Sequence, residues 1–325
     1  MCTSIAMKWG GGYFGRNMDV EYSFGEQVAV TPRRYPLRFW RQPEQAEHFA
    51  LIGMAHVAGG RPLYAEAANE KGLYMAGLNF PGSAWYEPDP PADCDAVAPY
   101  ELIPWVLGSC ATLAEAKERL ARFRPLGVPL ADDLPLAPLH WHIADRTGAL
   151  VLEATREGVR LYDDPVGVLT NNPPFPFHQL NLRQYQHLTA RPTENRLAPA
   201  LPLEAFGQGM GAIGLPGDAS PASRYVRAAF CKLNAPDPGG ELERVSDFFH
   251  LLDAVAMVRG SVLTPEGKWD MTTYACCFSA DAGTYYYKPH GNSRLSAVRL
   301  AGADLEGSEV QLFPLCREED VRMLN

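Results

Sequence analysis

The residue best placed to do chemistry in this chain is the second. Cys2 directly follows Met1 and is followed by Thr3 and Ser4. Cysteine is small enough for methionine aminopeptidases to remove the Met1 before it. That would leave a thiol and a free α-amine on one residue. An α-amine titrates near ~7.7–8.0, so at neutral pH it can accept the proton of its own side chain. No histidine is needed for such a site. The plain alternative is that Cys2 is merely a small residue near the terminus. Its surroundings weigh against that. Two strand-like runs, 2–8 and 13–19, flank Gly10-Gly11-Gly12 and read as a β-hairpin. The second run carries Phe14-Gly15-Arg16-Asn17-Met18-Asp19. Arg16 is always charged and would favour a thiolate beside it. Asp19 could orient the amine through a hydrogen bond. Strict strand alternation puts Arg16 and Asp19 on opposite faces, so both serve one site only if the strand ends or bulges between them. Otherwise they are a solvent-facing charged pair.

Other chemistry-bearing residues are weaker candidates. His140 and His142 alternate on a strand and share a face, but no third metal ligand stands near them in sequence, and packing on a sheet explains them better. Gly209-Met210-Gly211-Ala212-Ile213-Gly214 fits GxGxxG formally. No strand precedes it and Leu215-Pro216-Gly217 follows where a helix should start, so it reads as a flexible loop. The seven cysteines are an odd number without a CxxC pair, which reads as free thiols; the adjacent Cys276 and Cys277 are structural. A papain-like Cys/His protease is disfavoured, because Cys2 has no preceding chain to form the usual flank.

The elements that must position Cys2 can be read from the same sequence. Further strand-like runs are 27–32, 72–79, 139–144, 149–154, 159–162, 166–169, 274–278 and 284–287. Thr112-Leu113-Ala114-Glu115 is a capping box, followed by Leu113, Ala116, Leu120 and Phe123 at helical spacing. Leu242, Val245, Phe249, Leu252 and Ala256 mark a second amphipathic helix. The strands arrive as hairpins, which predicts antiparallel sheets with helices packed outside them rather than a doubly wound parallel fold. The 325 residues, 46% of them hydrophobic, can bury a sizeable core, and no linker divides them, so a single domain over 1–325 is expected. The segment at about 181–211 is polar, turn-rich and aperiodic, the mark of a functional or interfacial excursion.

Composition narrows the partners. With 29 Lys and Arg against 38 Asp and Glu the net charge is -9, and no basic cluster offers a nucleic-acid footprint. No apolar run approaches the ~18 residues of a membrane helix, and the N-terminus lacks a signal-peptide pattern. A cytoplasmic protein that binds neither nucleic acid nor membrane is expected.

Taken in order, Met1-Cys2-Thr3-Ser4 and Phe14-Gly15-Arg16-Asn17-Met18-Asp19 resemble the choloylglycine hydrolase family. So do Asn69-Glu70-Lys71-Gly72-Leu73, Gly77-Leu78-Asn79-Phe80-Pro81, Leu139-His140-Trp141, Leu169-Thr170-Asn171-Asn172-Pro173, Gly214-Leu215-Pro216-Gly217-Asp218, Ser223-Arg224-Tyr225-Val226-Arg227 and Met257-Val258-Arg259-Gly260. The likeness runs end to end. It implies an N-terminal-nucleophile hydrolase of α+β class: an αββα sandwich, with two stacked antiparallel sheets between helix layers. It implies Cys2 as nucleophile with Arg16 and Asp19 beside it, Asn171 and the backbone N–H of Asn79 as the oxyanion hole, Arg224 near the thiol, and no metal or organic cofactor. Two donors aimed at a developing oxyanion are what acyl transfer requires. Taken alone, Asn171 and Asn79 would read as turn residues.

The family divides between conjugated bile salt hydrolases and penicillin V acylases. Asn79, where the acylases commonly carry Tyr, resembles the former. That branch implies a steroid amide substrate, pocket residues at Met18, Leu134 and Leu139, and a homotetramer clasped by the 181–211 arm. It also implies that Gly207-Gln208-Gly209, a Gly-x-Gly loop, favours glycine conjugates, where a Ser-Arg-x loop would favour taurine conjugates. The competing readings are a penicillin V or N-acyl-homoserine lactone acylase, and a binding protein that keeps the fold without chemistry. The last is disfavoured by the presence of Cys2, Arg16 and Asp19 together.

Overall fold

The protein is described by a computed structural model that covers all residues except 132–134; the expected pocket residue Leu134 lies outside the described residues. The strands, in chain order, are β1 Cys2–Lys8, β2 Gly12–Val20, β3 Gln27–Thr31, β4 Leu51–Ala58, β5 Arg61–Asn69, β6 Tyr74–Asn79, β7 Asp95–Val97, β8 Phe123–Pro125 and β9 Leu139–Asp145. They continue with β10 Gly148–Thr155, β11 Gly158–Asp163, β12 Val168–Leu169, β13 Val262–Leu263, β14 Trp269–Ser279, β15 Thr284–Pro289, β16 Ser296–Arg299 and β17 Gln311–Pro314. The helices are α1 Leu102–Leu107, α2 Leu113–Arg119, α3 Phe175–Leu182, α4 Pro221–Asn234 and α5 Glu241–Asp253.

Among the described residues two antiparallel sheets dominate. One runs β12-β1-β2-β14-β15-β16, with β13 joined to β14; the other runs β11-β10-β9-β6-β5-β4-β3-β17. The expected hairpin forms with Cys2 opposite Met18 and Ser4 opposite Arg16. Gly10 makes its turn at φ +58°, a left-handed conformation that glycine adopts without strain. Alternation sorts the side chains. Cys2, Ser4, Arg16 and Met18 point between the sheets, where Ser4 Oγ lies 2.9 Å from His142 Nδ1 of the facing sheet. Thr3, Asn17 and Asp19 point outward, where Asn17 Nδ2 donates to Leu252 O of α5 at 2.8 Å.

Helices cover both outer faces, α4 and α5 over the first sheet and α1 and α2 over the second. One apolar cluster lies between the sheets and under α4 and α5, and a second lies under α1 and α2 around Trp105 and Trp141. The expected αββα sandwich is therefore observed. Thr112 caps α2 by accepting from Glu115 N at 3.2 Å, but the reciprocal bond reaches one residue further back: Ala111 N, not Thr112 N, donates to Glu115. The strand read at 166–169 is shorter, only Val168–Leu169, because the Val166 and Gly167 amides turn onto Asp164 Oδ1.

Candidate active site

Cys2 opens β1 and is buried. Its thiol lies between the sheets, and the Arg16 guanidinium reaches it through Nη2. The same Nη2 lies 3.5 Å from Met18 Sδ, which is 4.0 Å from Cys2 Sγ. The other branch of the guanidinium, Nη1, donates to Gly77 O at 2.6 Å. Burial works against the Arg16 charge, but Cys2, Tyr274 and Glu66 around it outweigh that and push its pKa up.

The backbone of Cys2 is held from other directions. Its N–H donates to Asn171 Oδ1 at 3.0 Å. Arg224, on α4, donates through Nη1 to Cys2 O and to Thr3 Oγ1, and through Nη2 to Asn171 Oδ1 at 2.7 Å. Ser220 starts α4 by accepting from Ser223 N, and Pro221 follows, so the helix carries Arg224 inward from its first turn. Burial lowers the Arg224 pKa, against the pull of Asp19 and Cys2.

Asn171 Nδ2 donates to Asn79 O at 2.7 Å. A primary amide carries two N–H donors, so one remains. A strand residue's N–H and C=O point to the same edge. The Asn79 N–H therefore leaves β6 on the side where its carbonyl meets Asn171, while the next amide, Phe80 N, goes to Pro138 O on the opposite side. His178 Nε2 meets Asn171 O at 2.9 Å and fixes that residue from behind.

Asp19 corrects the expectation that β2 must end or bulge before it can serve the site with Arg16. The strand runs on to Val20 and alternation is kept; the bulge is in the neighbour β14, at Thr273. Arg16 and Asp19 flank Cys2 from the two faces of the sheet. Asp19 Oδ1 accepts from Thr272 Oγ1 at 2.6 Å, while Oδ2 is buried without a partner among the described residues. Burial raises the Asp19 pKa, with Arg224 and the chain's N-terminal amine opposing. Met1 extends the ladder by one residue: Asp19 N donates to Met1 O at 2.8 Å, and the Met1 amine donates to Asp19 O and lies 3.4 Å from Asp270 Oδ2.

Cys2, Arg16, Met18, Asp19, Asn79, Asn171 and Arg224 are thus brought together. Leu139 is the ladder partner of Asn79, but its side chain is not brought to the thiol. It stands on the opposite face of β9 from His140 and packs with the outer cluster around Trp141. Gly207, Gln208 and Gly209 are exposed, and no described hydrogen bond joins them to the Cys2 group. The GxGxxG-like run holds a single 3-10 turn, Met210–Ala212, and His140 and His142 are occupied by Glu153, Thr170 O and Ser4. Sequence reasoning missed Glu66, 3.5 Å from Arg16 Nη1, as well as His178, Asp270 and Thr272. The signal for Glu66 was available: a carboxylate among small apolar residues, Ala65-Glu66-Ala67-Ala68, in a run that must be buried.

A buried thiol opening the inner strand of an αββα sandwich, with paired guanidinium groups and amide donors around it, defines an N-terminal-nucleophile type of site. Residues 2–313 match the choloylglycine hydrolase family of linear amide C–N hydrolases, and the chain belongs to that family. A bile salt hydrolase/transferase of Lactiplantibacillus plantarum is 41% identical over 100% of both chains. The corresponding Clostridium perfringens protein is 35% identical, also over 100% of both. A solved variant of the conjugated bile acid hydrolase of Clostridium perfringens superposes with a TM-score of 0.93 over 100% of each chain, at 35% identity. Penicillin V acylase of Agrobacterium tumefaciens shares the fold, at a TM-score of 0.76 and 18% identity over 96% of this chain and 91% of its own. No described helix is long and apolar enough to cross a membrane.

Proposed function

We propose that this enzyme hydrolyses the amide bond of conjugated bile salts, releasing a free bile acid and glycine or taurine. The observation that carries the mechanism is the convergence on Cys2 of one guanidinium at the sulfur and a second at the carbonyl, with Asn171 at the nitrogen. The steroid class of substrate rests on the names of the full-length relatives.

Removal of Met1 turns the Cys2 nitrogen into an amine. That amine takes the thiol proton, and the sulfur attacks the substrate carbonyl. The free N–H of Asn171 and the backbone N–H of Asn79 receive the oxyanion. The C–N bond breaks as the ammonium returns its proton to the leaving nitrogen, giving a thioester. Water, deprotonated by the same amine, then cleaves the thioester and regenerates Cys2. Asp19 Oδ2, buried and without a partner among the described residues, is the acceptor we assign to orienting this amine. Met18 beside the sulfur gives the acyl group an apolar neighbour.

Intact-mass measurement should show the loss of one Met; a fully active preparation that keeps Met1 would defeat this mechanism. Incubation with glycocholate, taurocholate and penicillin V, with detection of the released amine, tests the substrate class. Faster cleavage of penicillin V than of either bile salt would refute the steroid reading. We also read 1–325 as one domain that assembles as a homotetramer through the 181–211 arm.

A further inference from the structure

Arg16 is held from behind as well as from the front. One branch reaches the Cys2 sulfur, while Nη1 on the other lies 3.5 Å from Glu66 Oε2. Neither Arg16 nor Glu66 has any exposure to solvent. Glu66 stands on β5 of the second sheet and is gripped by phenols of the first. Tyr285 donates to Oε1 at 2.6 Å and Tyr274 to Oε2 at 2.9 Å. Cys276 Sγ is 3.6 Å from Oε1. Tyr74 of β6 is a further buried phenol near the pair, its pKa pushed up by burial and by Cys276 and Glu66, with Arg16 opposing. Burial pushes the Glu66 carboxyl up, and Arg16 and the two phenols pull it back.

A buried ion pair is a poor source of net stability, because desolvation of both ions offsets their attraction. What it fixes well is geometry and local charge. We propose that Glu66 is a positioning residue for the amide hydrolysis: held by Tyr274 and Tyr285, it fixes the Arg16 guanidinium against Cys2, offsets part of its charge, and so sets the pH at which the thiol reacts. The inference rests on the reading of Cys2 as nucleophile. Glu66 acts only through Arg16, which it shares with the sulfur as a second anion. Removing the carboxylate charge leaves the full cation to the thiolate, so the thiol ionises at lower pH.

The test uses the full-length protein, its mature N-terminus checked by mass. It reads the rate of iodoacetamide alkylation across pH, with peptide mapping to separate Cys2 from the other cysteines. Glu66→Gln keeps the size and an acceptor for the phenols. Its alkylation midpoint should move down by about one pH unit, a tenfold larger thiolate fraction at a given pH below the midpoint. The pH profile of kcat/KM on glycocholate should move with it, and KM should stay near the parent value. Tyr285→Phe leaves the carboxylate in place and should move the midpoint less. An unmoved midpoint in Glu66→Gln, or an equal shift in Tyr285→Phe, overturns the proposal, since packing alone would then account for the effect. If Glu66→Gln does not fold, Glu66→Asp decides. It retains the charge on a shorter stem, so a midpoint near the parent's with lower kcat supports the proposal, and unchanged kcat overturns it. If alkylating Cys2 leaves the parent protein active, the nucleophile reading itself has failed, a result distinct from an unmoved midpoint.

Discussion

The Cys2 cluster and the 181–211 segment satisfy opposite needs. The cluster draws on β1, β2, β6 and α4 and buries charged groups, most of whose polar atoms find partners within the chain; Asp19 Oδ2 is an exception among the described residues. The segment after α3 has only short 3-10 turns, Arg183–Tyr185 and Met210–Ala212, among the described residues, and is closed at its base by Thr189 N donating to Gly211 O at 2.9 Å. It leaves Leu197 90% and Phe206 92% exposed, with Leu201 and Leu203 also at the surface. One region has most of its polar groups answered inside the chain; the other presents apolar groups that find no cover there. Bond-breaking chemistry depends on atoms fixed to within a fraction of an ångström, which a closed network supplies. Exposed apolar side chains in a loop are suited to contact with another surface.

Breaking the cluster should have the largest effect. Cys2→Ser should keep the fold by circular dichroism and lose at least about 1000-fold in kcat/KM, because a hydroxyl is a far weaker nucleophile than a thiolate. A variant retaining even a tenth of the activity would remove Cys2 from the mechanism. Asn171→Ala takes away one oxyanion donor and should cost about 100- to 1000-fold in kcat with little change in KM. A change confined to KM would make Asn171 a binding group only.

The arm should respond differently. Leu197→Asp combined with Phe206→Asp should reduce the mass seen by light scattering at micromolar concentration, while activity per chain falls less than in Asn171→Ala. An unchanged assembly would separate the arm from oligomerisation. The loop at its end offers a finer test. The unmodified protein should prefer glycocholate to taurocholate. Gln208→Arg supplies a bidentate cation for a sulfonate and should shift the kcat/KM ratio toward taurocholate by up to about tenfold, or ~1.4 kcal/mol. Equal ratios in parent and variant would leave the loop without a part in recognition.

The smallest expected effect lies where the two regions meet, at the start of α4. Asp218 accepts from Ser220 N at 2.9 Å and Ser223 Oγ at 2.6 Å, bonds that lower its pKa from 3.8 to about 2. A carboxyl with a depressed folded-state pKa contributes stability above its unfolded value, lost as pH falls toward the folded one. Asp218→Asn should therefore lower Tm by about one to two degrees at pH 7 and make no difference below pH ~2. An equal loss at both pH values would assign the effect to shape and not to charge.

Much of the frame was legible, for identifiable reasons. The hairpin of β1 and β2 announces itself through a glycine turn between two runs of suitable length, and α5 through its spacing of apolar residues. The start of α4 was equally legible in Ser220-Pro221, an N-cap followed by proline, yet the motif around Arg224 was read for its arginine alone. The run Ala65-Glu66-Ala67-Ala68 marks Glu66 as a buried carboxylate, but local patterns cannot say that it will face Arg16, fifty positions earlier, across two sheets. The joint service of Arg16 and Asp19 was sought in the wrong strand: the bulge belongs to β14, whose register with β2 no local pattern fixes. Leu139 was assigned by likeness, and its alternation with His140 sends it to the other face.

The wide sequence separation of the Cys2 partners also bears on how the enzyme comes alive. Residues 2 and 16 share the β1–β2 hairpin, but residues 171 and 224 join them only when the antiparallel stack and α4 are assembled. Until then Cys2 lacks Arg224 and Asn171 around its backbone, and Arg16 lacks the second sheet that holds it. Contacts of such sequence separation form slowly, after local helices and hairpins. During refolding, far-ultraviolet signal should return first and Cys2 reactivity last, in step with burial of Trp105 and Trp141. The nascent chain is thereby spared an activated sulfur while it can still meet the wrong partner.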